Sequence, residues 1–328
     1  MTQFISLINA SVVFGTVILF GAIGEILTEK GGNLNLGVPG IMYMGGIAGL
    51  IGTFYYEKAA GENAIPIVCV LIALVCALIA SILSGLLFAF MTVTLRCNQN
   101  IMGLAFNIFA GGFANFYGGS LNKLAGGVGQ INVFVTSRAI RTKIPFLSNL
   151  GVVGQIFFSY GFLAYVAIIM AFLLRWFLNR TMVGLNLRAV GEDPAAADAV
   201  GINVTKYKYM STCIGAGISG LGGLYYVMDY VKGTWDSAGL VEGLGWLAVA
   251  LVIFASWRPL RAIWGAYLFG MLSWMYFYIS GLTRSSQELF KMLPYLATLA
   301  VLILVALQHK VENQPPKHLG LPYFREDR

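Results

Sequence analysis

The side chains that could do chemistry in this sequence are few and widely spread. Its two histidines, His309 and His318, lie in or beside a polar tail, which argues against a histidine-based catalytic triad. The four cysteines lie in or at the edge of apolar stretches, without the Cys/His spacing of a metal site. The sequence has no G-x-x-x-x-G-K-[ST] motif, so this route to ATP binding is excluded. It therefore predicts no catalytic residue, no metal site and no cofactor bound by the chain itself.

The most polar interior stretch, LRAVGEDPAAADAVGINV at 187–204, separates two long apolar runs. Asp193 followed by Pro194 is typical of a helix start, because the carboxylate caps free N–H groups and proline tolerates the first position. Gly201 followed by Ile202 is typical of a helix end. These signals predict a helix of about seven residues at 194–200. A helix this short is marginal by itself, so either the rest of the protein or a partner must hold it.

Amide side chains form a second group of candidates, within otherwise apolar segments. Asn33 and Asn35 flank a glycine-broken stretch, and Asn107 and Asn115 lie in one apolar run beside Phe116. Buried amides need hydrogen-bond partners, so these residues either join neighbouring helices or line a translocation pathway. For Asn107 the two interpretations are equally supported. Phe116 is assigned to the pathway with the amides, although aromatic residues on such a run more often face lipid or the core.

The composition shows which elements must position these residues. Of the 328 residues, 58% are hydrophobic and 11% are charged, and the mean hydropathy is +0.77. Soluble domains carry about 25% charged residues, whereas a bilayer crossing needs about 20 mostly apolar residues. The fold class is therefore all-α: a polytopic helical membrane protein with about nine membrane segments. The predicted segments are 4–27, a glycine-interrupted run that ends at 56, 65–94, 100–118, 154–178, 209–228, a half-helix at 243–257, 262–281 and 291–308.

Two further patterns concern packing and charge within these segments. Gly45 and Gly49, and then Gly215, Ser219 and Gly223, recur every four residues, a spacing that lets membrane helices approach closely. No ionisable residue is predicted at the centre of a span. Because such residues usually mark proton or ion pathways, their absence argues against an ion-coupled secondary transporter.

The positive charges give an orientation. If the 179–208 loop is cytoplasmic, alternating spans place most of the 21 lysines and arginines on the cytoplasmic side, as the positive-inside rule requires. The amino terminus is then outside and the carboxyl-terminal tail inside. The formal net charge of +7 indicates anionic lipid as the neighbour of these loops, and not nucleic acid.

Three segments resemble a known family: KGGNLNLGVPGIMYMGGIAG (30–49), CNQNIMGLAFNIFAGG (97–112) and GLNLRAVGEDPAAADAVGINV (184–204). They are similar to the permease subunits of bacterial ABC importers in the ribose and branched-chain amino acid superfamily. Within it, IPFLSNLGVVGQIFFS (144–159) and LGLPYFREDR (319–328) look most like the shorter permease of nucleoside importers. The resemblance covers nearly the whole chain.

The resemblance implies a bacterial plasma-membrane subunit that forms half of the translocation pathway of an ATP-driven importer, with nucleosides as the expected substrates. Its implied partners are a second, non-identical permease, a cytoplasmic ABC ATPase that binds the ATP, and an extracytoplasmic substrate-binding lipoprotein. The transmembrane permease domain would be 1–309, with a coupling loop at 184–208, and the cytoplasmic tail 310–328. The residues assigned to coupling with the ATPase are Arg188, Gly191, Glu192, Asp193, Pro194, Ala196, Ala197, Asp198 and Gly201.

Alternatives remain at this stage. Glu192, Asp193 and Asp198 could contact the ATPase or could only stabilise the helix start; capping is favoured for Asp193 and docking for Asp198. The substrate could be a simple sugar such as ribose, or a branched-chain amino acid. A secondary transporter, a channel and a membrane enzyme are the rival classes. The missing central charge argues against the first, and the lack of clustered acid, base or metal ligands against the last.

Overall fold

A computed structural model describes residues 2–124, 131–143, 151–235, 240–279, 281, 283–308 and 314–325. The predicted boundary at 309–310 and parts of the polar 119–150 segment lie outside the described residues. Within them the chain is helical throughout. The helices are α1 (Thr2–Lys30), α2 (Val38–Ala60), α3 (Pro66–Ala89), α4 (Gln99–Leu124), α5 (Phe134–Ile140), α6 (Gly151–Phe157), α7 (Phe162–Arg180), α8 (Met182–Glu192), α9 (Pro194–Ala199), α10 (Val204–Tyr225), α11 (Leu240–Phe254), α12 (Pro259–Trp274), α13 (Arg284–Lys291) and α14 (Leu293–Gln308).

Four helical segments are long and apolar enough to cross a membrane by themselves: Gln3–Lys30, Val38–Asn63, Pro66–Thr94 and Phe162–Arg180. A fifth is counted if Ser285–Lys291 and Leu293–Leu304, which are bent by 41°, form one span. Among the other predicted segments, α4 and α10 are long but rich in glycine, and α11 is a shorter apolar helix, as a half-helix prediction requires. The predicted fold class, an all-α polytopic membrane protein, is confirmed.

The core forms where α10 packs against α1, α2 and α3. Small residues allow these backbones to approach: a methyl group on Gly215 would lie 2.5 Å from the Gly24 carbonyl oxygen, and one on Gly223 would collide with the Met42 carbonyl. Gly45 meets the Gly220 backbone in the same way. The predicted small-residue contacts are confirmed at these positions. Close backbone approach is what holds helices together in lipid, where hydrophobic burial gives no advantage.

The helices connect two faces. We call one the tail-side face; it consists of the end of α1, the loops 31–37 and 95–98, α8, α9 and residues 314–325. On the opposite face, the Thr136 N–H of α5 donates to Glu57 Oε1 at 2.8 Å, and the Tyr160 hydroxyl donates to Asn9 Oδ1 at 2.9 Å near the start of α1. The amino-terminal end of α1 and the tail therefore lie at opposite faces.

Two carboxylates are buried near the end of α1, which the sequence interpretation did not predict. α1 continues to Lys30, beyond the predicted end at 27, and encloses Glu25 and Glu29, which are 1% and 3% exposed. Glu25 Oε1 accepts a hydrogen bond from the Asn35 N–H at 3.1 Å, and Glu29 accepts one from the Trp257 indole. Both carboxylates thus join α1 to its neighbours at the tail-side end of the helix.

Candidate functional site

The predicted short helix is α9, and its two ends have the predicted chemistry. Asp193 accepts a hydrogen bond from the Ala196 N–H at 2.9 Å, and Pro194 occupies the first turn. At the other end Gly201 has φ +86°, and the Ile202 N–H donates to the Ala197 carbonyl at 3.0 Å. This is a Schellman arrangement, which satisfies carbonyls at the end of the helix. α9 contains six residues, one fewer than predicted.

An additional helix precedes α9. α8 spans 11 residues and has Thr181 as its N-cap, whose hydroxyl accepts a hydrogen bond from the Gly184 N–H at 3.0 Å. The sequence interpretation missed it because Gly184 and Gly191 weaken the helical pattern. Leu187 and Val190, three residues apart and fully buried, are the signal that could have revealed it. α8 and α9 together form a helix pair on the tail-side face.

The support that α9 requires comes partly from within the chain. Ala197 packs with Val190 of α8 and Val204 of α10 in a small buried cluster, against which Tyr323 of the tail also packs. Asp198 accepts a hydrogen bond from the Tyr323 hydroxyl at 3.0 Å and pairs with Arg325 Nε at 3.1 Å. The tail therefore holds one side of α9.

The same tail segment also contacts α8 and the α3–α4 loop. The His318 N–H donates to the Gly191 carbonyl at 3.1 Å, and the Lys317 N–H donates to Glu192 at 3.4 Å. The Arg96 guanidinium lies 4.6 Å from the centre of the Phe324 ring, a cation–π contact. Residues 314–325, which we call the strap, thus connect the helix pair to the end of α3.

The strap places His318 in an unusual electrostatic environment. Partial burial lowers the pKa of the His318 imidazole below its ordinary value, and the nearby Lys208 ammonium lowers it further. The Asp193 carboxylate acts in the opposite direction, with a smaller effect. Neutral His318 is therefore the form favoured by the docked strap.

The predicted coupling residues divide by exposure. Gly191, Pro194 and Ala197 are buried, and Asp198 is half-buried beneath the strap. Arg188 is exposed and donates to Asn179 Oδ1 at 3.0 Å. The remaining exposed positions of the set are Glu192, Asp193, Ala196 and Gly201. Together with Ala195, Ala199 and Val200, which is 76% exposed, they give α9 a small, mostly apolar outer surface.

The predicted pathway residues do not form one group. Asn33 is fully buried, and its amide donates to Thr92 at 3.2 Å and Thr212 at 3.0 Å. Asn35 is also buried, and its Oδ1 accepts a hydrogen bond from the Gly37 N–H at 3.0 Å. Asn33 therefore joins helices at the tail-side face, the alternative that the sequence left open, whereas the Asn35 bond to Gly37 lies within the 31–37 loop. Asn115 and Phe116 are exposed on the outer side of α4.

Asn107 has a partner that the sequence interpretation missed. Its amide donates to Glu242 Oε1 of α11 at 3.3 Å, and Tyr43 of α2 contacts the Glu242 backbone. Asn107 lies eight residues into α4, about 12 Å from the start of that helix at 1.5 Å per residue. Glu242 is exposed there. Glu242 thus lies at the start of α11, next to a residue in the third turn of α4.

This cluster also contains polar atoms without partners. Asn107 Oδ1 and Trp235 Nε1 are buried and make no hydrogen bond with the part of the chain that the structure describes. The Trp235 and Tyr43 rings lie 6.2 Å apart. An exposed carboxylate at membrane depth normally faces a water-filled cavity or another protein surface, because contact with lipid is costly. The pair Glu242-Gly243, at the start of the predicted half-helix, was the sequence feature that could have indicated this cluster.

The described residues contain no group of three or more His, Cys, Asp or Glu side chains that could hold a metal ion. The candidate site thus consists of a surface formed by α8, α9 and the strap, together with a separate polar cluster between the helices.

Comparison with known proteins identifies the family. The sequence profile described as "Branched-chain amino acid transport system / permease component" matches residues 7–302. The chain belongs to this permease family.

Three relatives are similar over most of their length. The permease is 33% identical to TsgC13 of Haloferax volcanii, provisionally named a glucose ABC transporter permease protein, over 98% of both chains. It is 30% identical to the guanosine ABC transporter permease protein NupQ of Bacillus subtilis, over 100% and 99% of the two chains. It is 31% identical to the nucleoside ABC transporter permease protein NupC of Lactococcus lactis, over 89% of each.

Family membership assigns the general role. The permease is a multi-pass subunit of an ABC transporter in the cell membrane, a transport component and not an enzyme, and such permeases act with an ATPase and a substrate-binding protein.

Proposed function

We propose that this permease imports nucleosides, as half of a translocation pathway whose movement is driven by a cytoplasmic ATPase. The nucleoside substrate is supported by the names of two relatives, NupQ and NupC. The main observation that supports ATPase-driven movement is α9 itself. It is a capped helix with an apolar outer surface, and α8 and the strap pack behind it. The ATPase docks on Ala195, Ala196, Ala199 and Val200 and supplies all the ATP chemistry.

The contacts behind α9 connect it to helices that cross the membrane, so a displacement of α9 can be transmitted to them. Gly191 of α8 lies against the Lys30 carbonyl at the end of α1, where even a methyl group would collide. The strap connects α9 to Arg96 at the end of α3. When ATP binding closes the ATPase dimer, displacement of α9 is therefore passed to two membrane helices. Their shift changes access to the pathway from outside to inside.

The rest of the assembly follows from the exposed surfaces. The tail-side face is cytoplasmic, so the amino terminus is outside and the tail inside, with the membrane domain at 1–309, the coupling loop at 184–208 and the tail at 310–328. The outer side of α4, with Asn115 and Phe116, faces a second, non-identical permease. A substrate-binding lipoprotein delivers the solute to the opposite face.

The Asn107–Glu242 cluster supports a neutral, hydroxyl-bearing solute. Glu242 is exposed and offers acceptor oxygens to sugar hydroxyls, while the Tyr43 and Trp235 rings are buried beside the cluster. A free amino acid would bring its own carboxylate toward Glu242, and this repulsion is strong where water is scarce. A simple sugar remains the second candidate, since the name of TsgC13 gives glucose.

Docking on α9 is tested by enlarging an exposed side chain. Ala196→Trp should reduce both co-purification of the ATPase and nucleoside uptake at least tenfold, because the indole fills the contact surface without entering the protein's own core. Ile67→Trp is the matched control, since Ile67 is 69% exposed near the start of α3, at the opposite face. Wild-type ATPase recovery and uptake with Ala196→Trp would show that α9 is not the docking helix.

The substrate is tested separately, by the ligand affinity of the cognate binding protein across nucleosides, pentoses and branched-chain amino acids. Binding of nucleosides in preference to the other two classes is expected. Tight binding of sugars alone would replace the nucleoside assignment with the sugar assignment and leave the coupling mechanism intact.

A further inference from the structure

A cavity of about 640 Å³ lies on the tail-side face, between the end of α3, α9, the start of α10 and the strap. Its charged lining is strongly unbalanced. Four cations line it: Arg96, Lys206, Lys208 and Arg325. The carboxylate among its described lining residues is Asp198, which already binds Tyr323 and Arg325.

Lys208 is the most informative of these cations. It is 3% exposed and lines the cavity, and no hydrogen bond or ion pair of its ammonium group is seen among the described residues. Its backbone carbonyl accepts the hydroxyls of Ser211 and Thr212, so the backbone of the residue is fixed within α10. A buried charge without a counter-ion is strongly unfavourable. The cavity in front of Lys208 is the place where a counter-ion can enter.

The start of α10 adds to the positive potential. The helix spans 22 residues from Val204 and is capped by Asn203, whose side chain accepts a hydrogen bond from the Lys206 N–H at 2.9 Å. Asn203, Val204 and Thr205 all line the cavity. The amino-terminal end of a helix carries a partial positive charge and favours anions. The helix dipole and the four side chains thus act in the same direction.

We propose that this cavity binds a phosphate group. Arginine and lysine at its wall suit phosphate oxygens, which accept several charge-assisted hydrogen bonds at once. The phosphate group belongs either to the headgroup of an anionic lipid in the adjacent leaflet or to a soluble phosphate compound. The site is separate from the Asn107–Glu242 cluster, and it does not depend on which solute is transported.

A ligand here would also affect the strap. Arg325 lines the cavity while it pairs with Asp198. A bound phosphate would compete with Asp198 for Arg325 and would bring the strap, α10 and the end of α3 onto one ligand. Occupancy of the cavity would therefore change how firmly α9 is held.

The experiment uses the full-length permease, with inorganic pyrophosphate as the soluble probe and nanodiscs containing either phosphatidylglycerol or phosphatidylcholine as the lipid probe. Lys208→Gln and Arg96→Gln remove cavity charges. Arg180→Gln, at the exposed end of α7 on the same face, removes a charge outside the cavity. Pyrophosphate affinity is measured by thermal shift, and retained lipid by native mass spectrometry.

A tenfold or greater loss of pyrophosphate binding, or of retained phosphatidylglycerol, in Lys208→Gln but not in Arg180→Gln is expected. Loss of pyrophosphate binding alone identifies a soluble ligand, and loss of the lipid alone identifies the headgroup. Without any anion, Lys208→Gln should unfold at a higher temperature than the wild type, because an uncompensated buried charge is gone. Equal binding of both probes by the wild type and Lys208→Gln would overturn the proposal. Destabilisation by Lys208→Gln in the absence of anions would do so too, since it would reveal a partner within the protein.

Discussion

Asp193 illustrates what one residue contributes to the proposed coupling surface. Its side chain accepts one hydrogen bond, from the Ala196 N–H, in the first turn of α9. Sequence alone predicted this contact and the glycine at the other end of the helix, because both depend on neighbours within four residues. It could not predict the contact between Asn107 and Glu242, since 135 residues separate them. Residue chemistry is therefore predictable here only where it is local.

The cap provides a prediction at this scale. Asp193→Ala should destabilise α9 by about 0.5–2 kcal/mol, because a free N–H loses its acceptor. Hydrogen exchange of 194–200 should become faster, and ATPase recovery should fall. Asp193→Asn is the matched control, since it keeps the cap and removes the charge. If Asp193→Asn were as damaging as Asp193→Ala, the charge itself, and not the cap, would be the important property.

At the scale of elements, the strap changes the meaning of several side chains. Asp198 was expected to face the ATPase, yet it binds Tyr323 and Arg325 within the chain. α8 was not predicted at all because it contains two glycines. It forms because the burial of Leu187 and Val190 outweighs their effect. Both differences have one physical cause: tertiary contacts from distant segments decide what a local pattern becomes.

The Asp198–Arg325 pair gives the second prediction. Arg325 is 74% exposed, so the ion pair alone should contribute little, about 0–1 kcal/mol. Arg325→Ala should therefore leave ATPase recovery within about twofold of the wild type. Removing residues 317–325 should reduce ATPase recovery much further, because the packing of Tyr323 and the backbone bond to Gly191 are also lost. Wild-type recovery by the truncated chain would show that the strap does not support α9.

The strap should also respond to pH. Since its docked form lowers the pKa of His318, the released form binds more protons as the pH falls below about 6.5, the ordinary value for histidine. Docking should therefore be complete above that pH and weaken progressively below it. Hydrogen exchange of 314–325 at pH 7.5 and 5.5, corrected for intrinsic rates, measures this. His318→Gln should remove the difference; an unchanged difference would assign it to another group.

At the scale of the whole molecule, hydropathy predicted the class and the approximate positions of the helices, because the bilayer imposes them. The arrangement around α10 was only partly visible in the sequence. Regularly spaced small residues indicated close packing, but they did not reveal that α1, α2 and α3 all meet α10. Which helices pack together depends on contacts between backbones that are distant along the chain, and a single sequence does not show these contacts.

Close packing supplies the last prediction. Gly223→Val places a branched side chain against the Met42 carbonyl, so α2 and α10 must separate. Overpacking of this kind costs about 1–3 kcal/mol or more, and the yield of monodisperse permease should fall severalfold in size-exclusion chromatography. Gly119→Val on α4 is the control, since a methyl group there meets nothing within 4 Å. Equal yields of the two variants would contradict the close contact between α2 and α10.

The distance along the chain between Asp198 and Tyr323 has a consequence during synthesis. The ribosome adds Tyr323 125 residues after Asp198. At a synthesis rate of about 5–20 residues per second, roughly 6–25 s pass between the synthesis of α9 and that of the strap. During that time α10, α11, α12 and α14 must also enter the bilayer. If the ATPase docks on α9 as proposed, a nascent permease presents it with an unsupported α9, and firm docking would select subunits whose later segments have already been inserted.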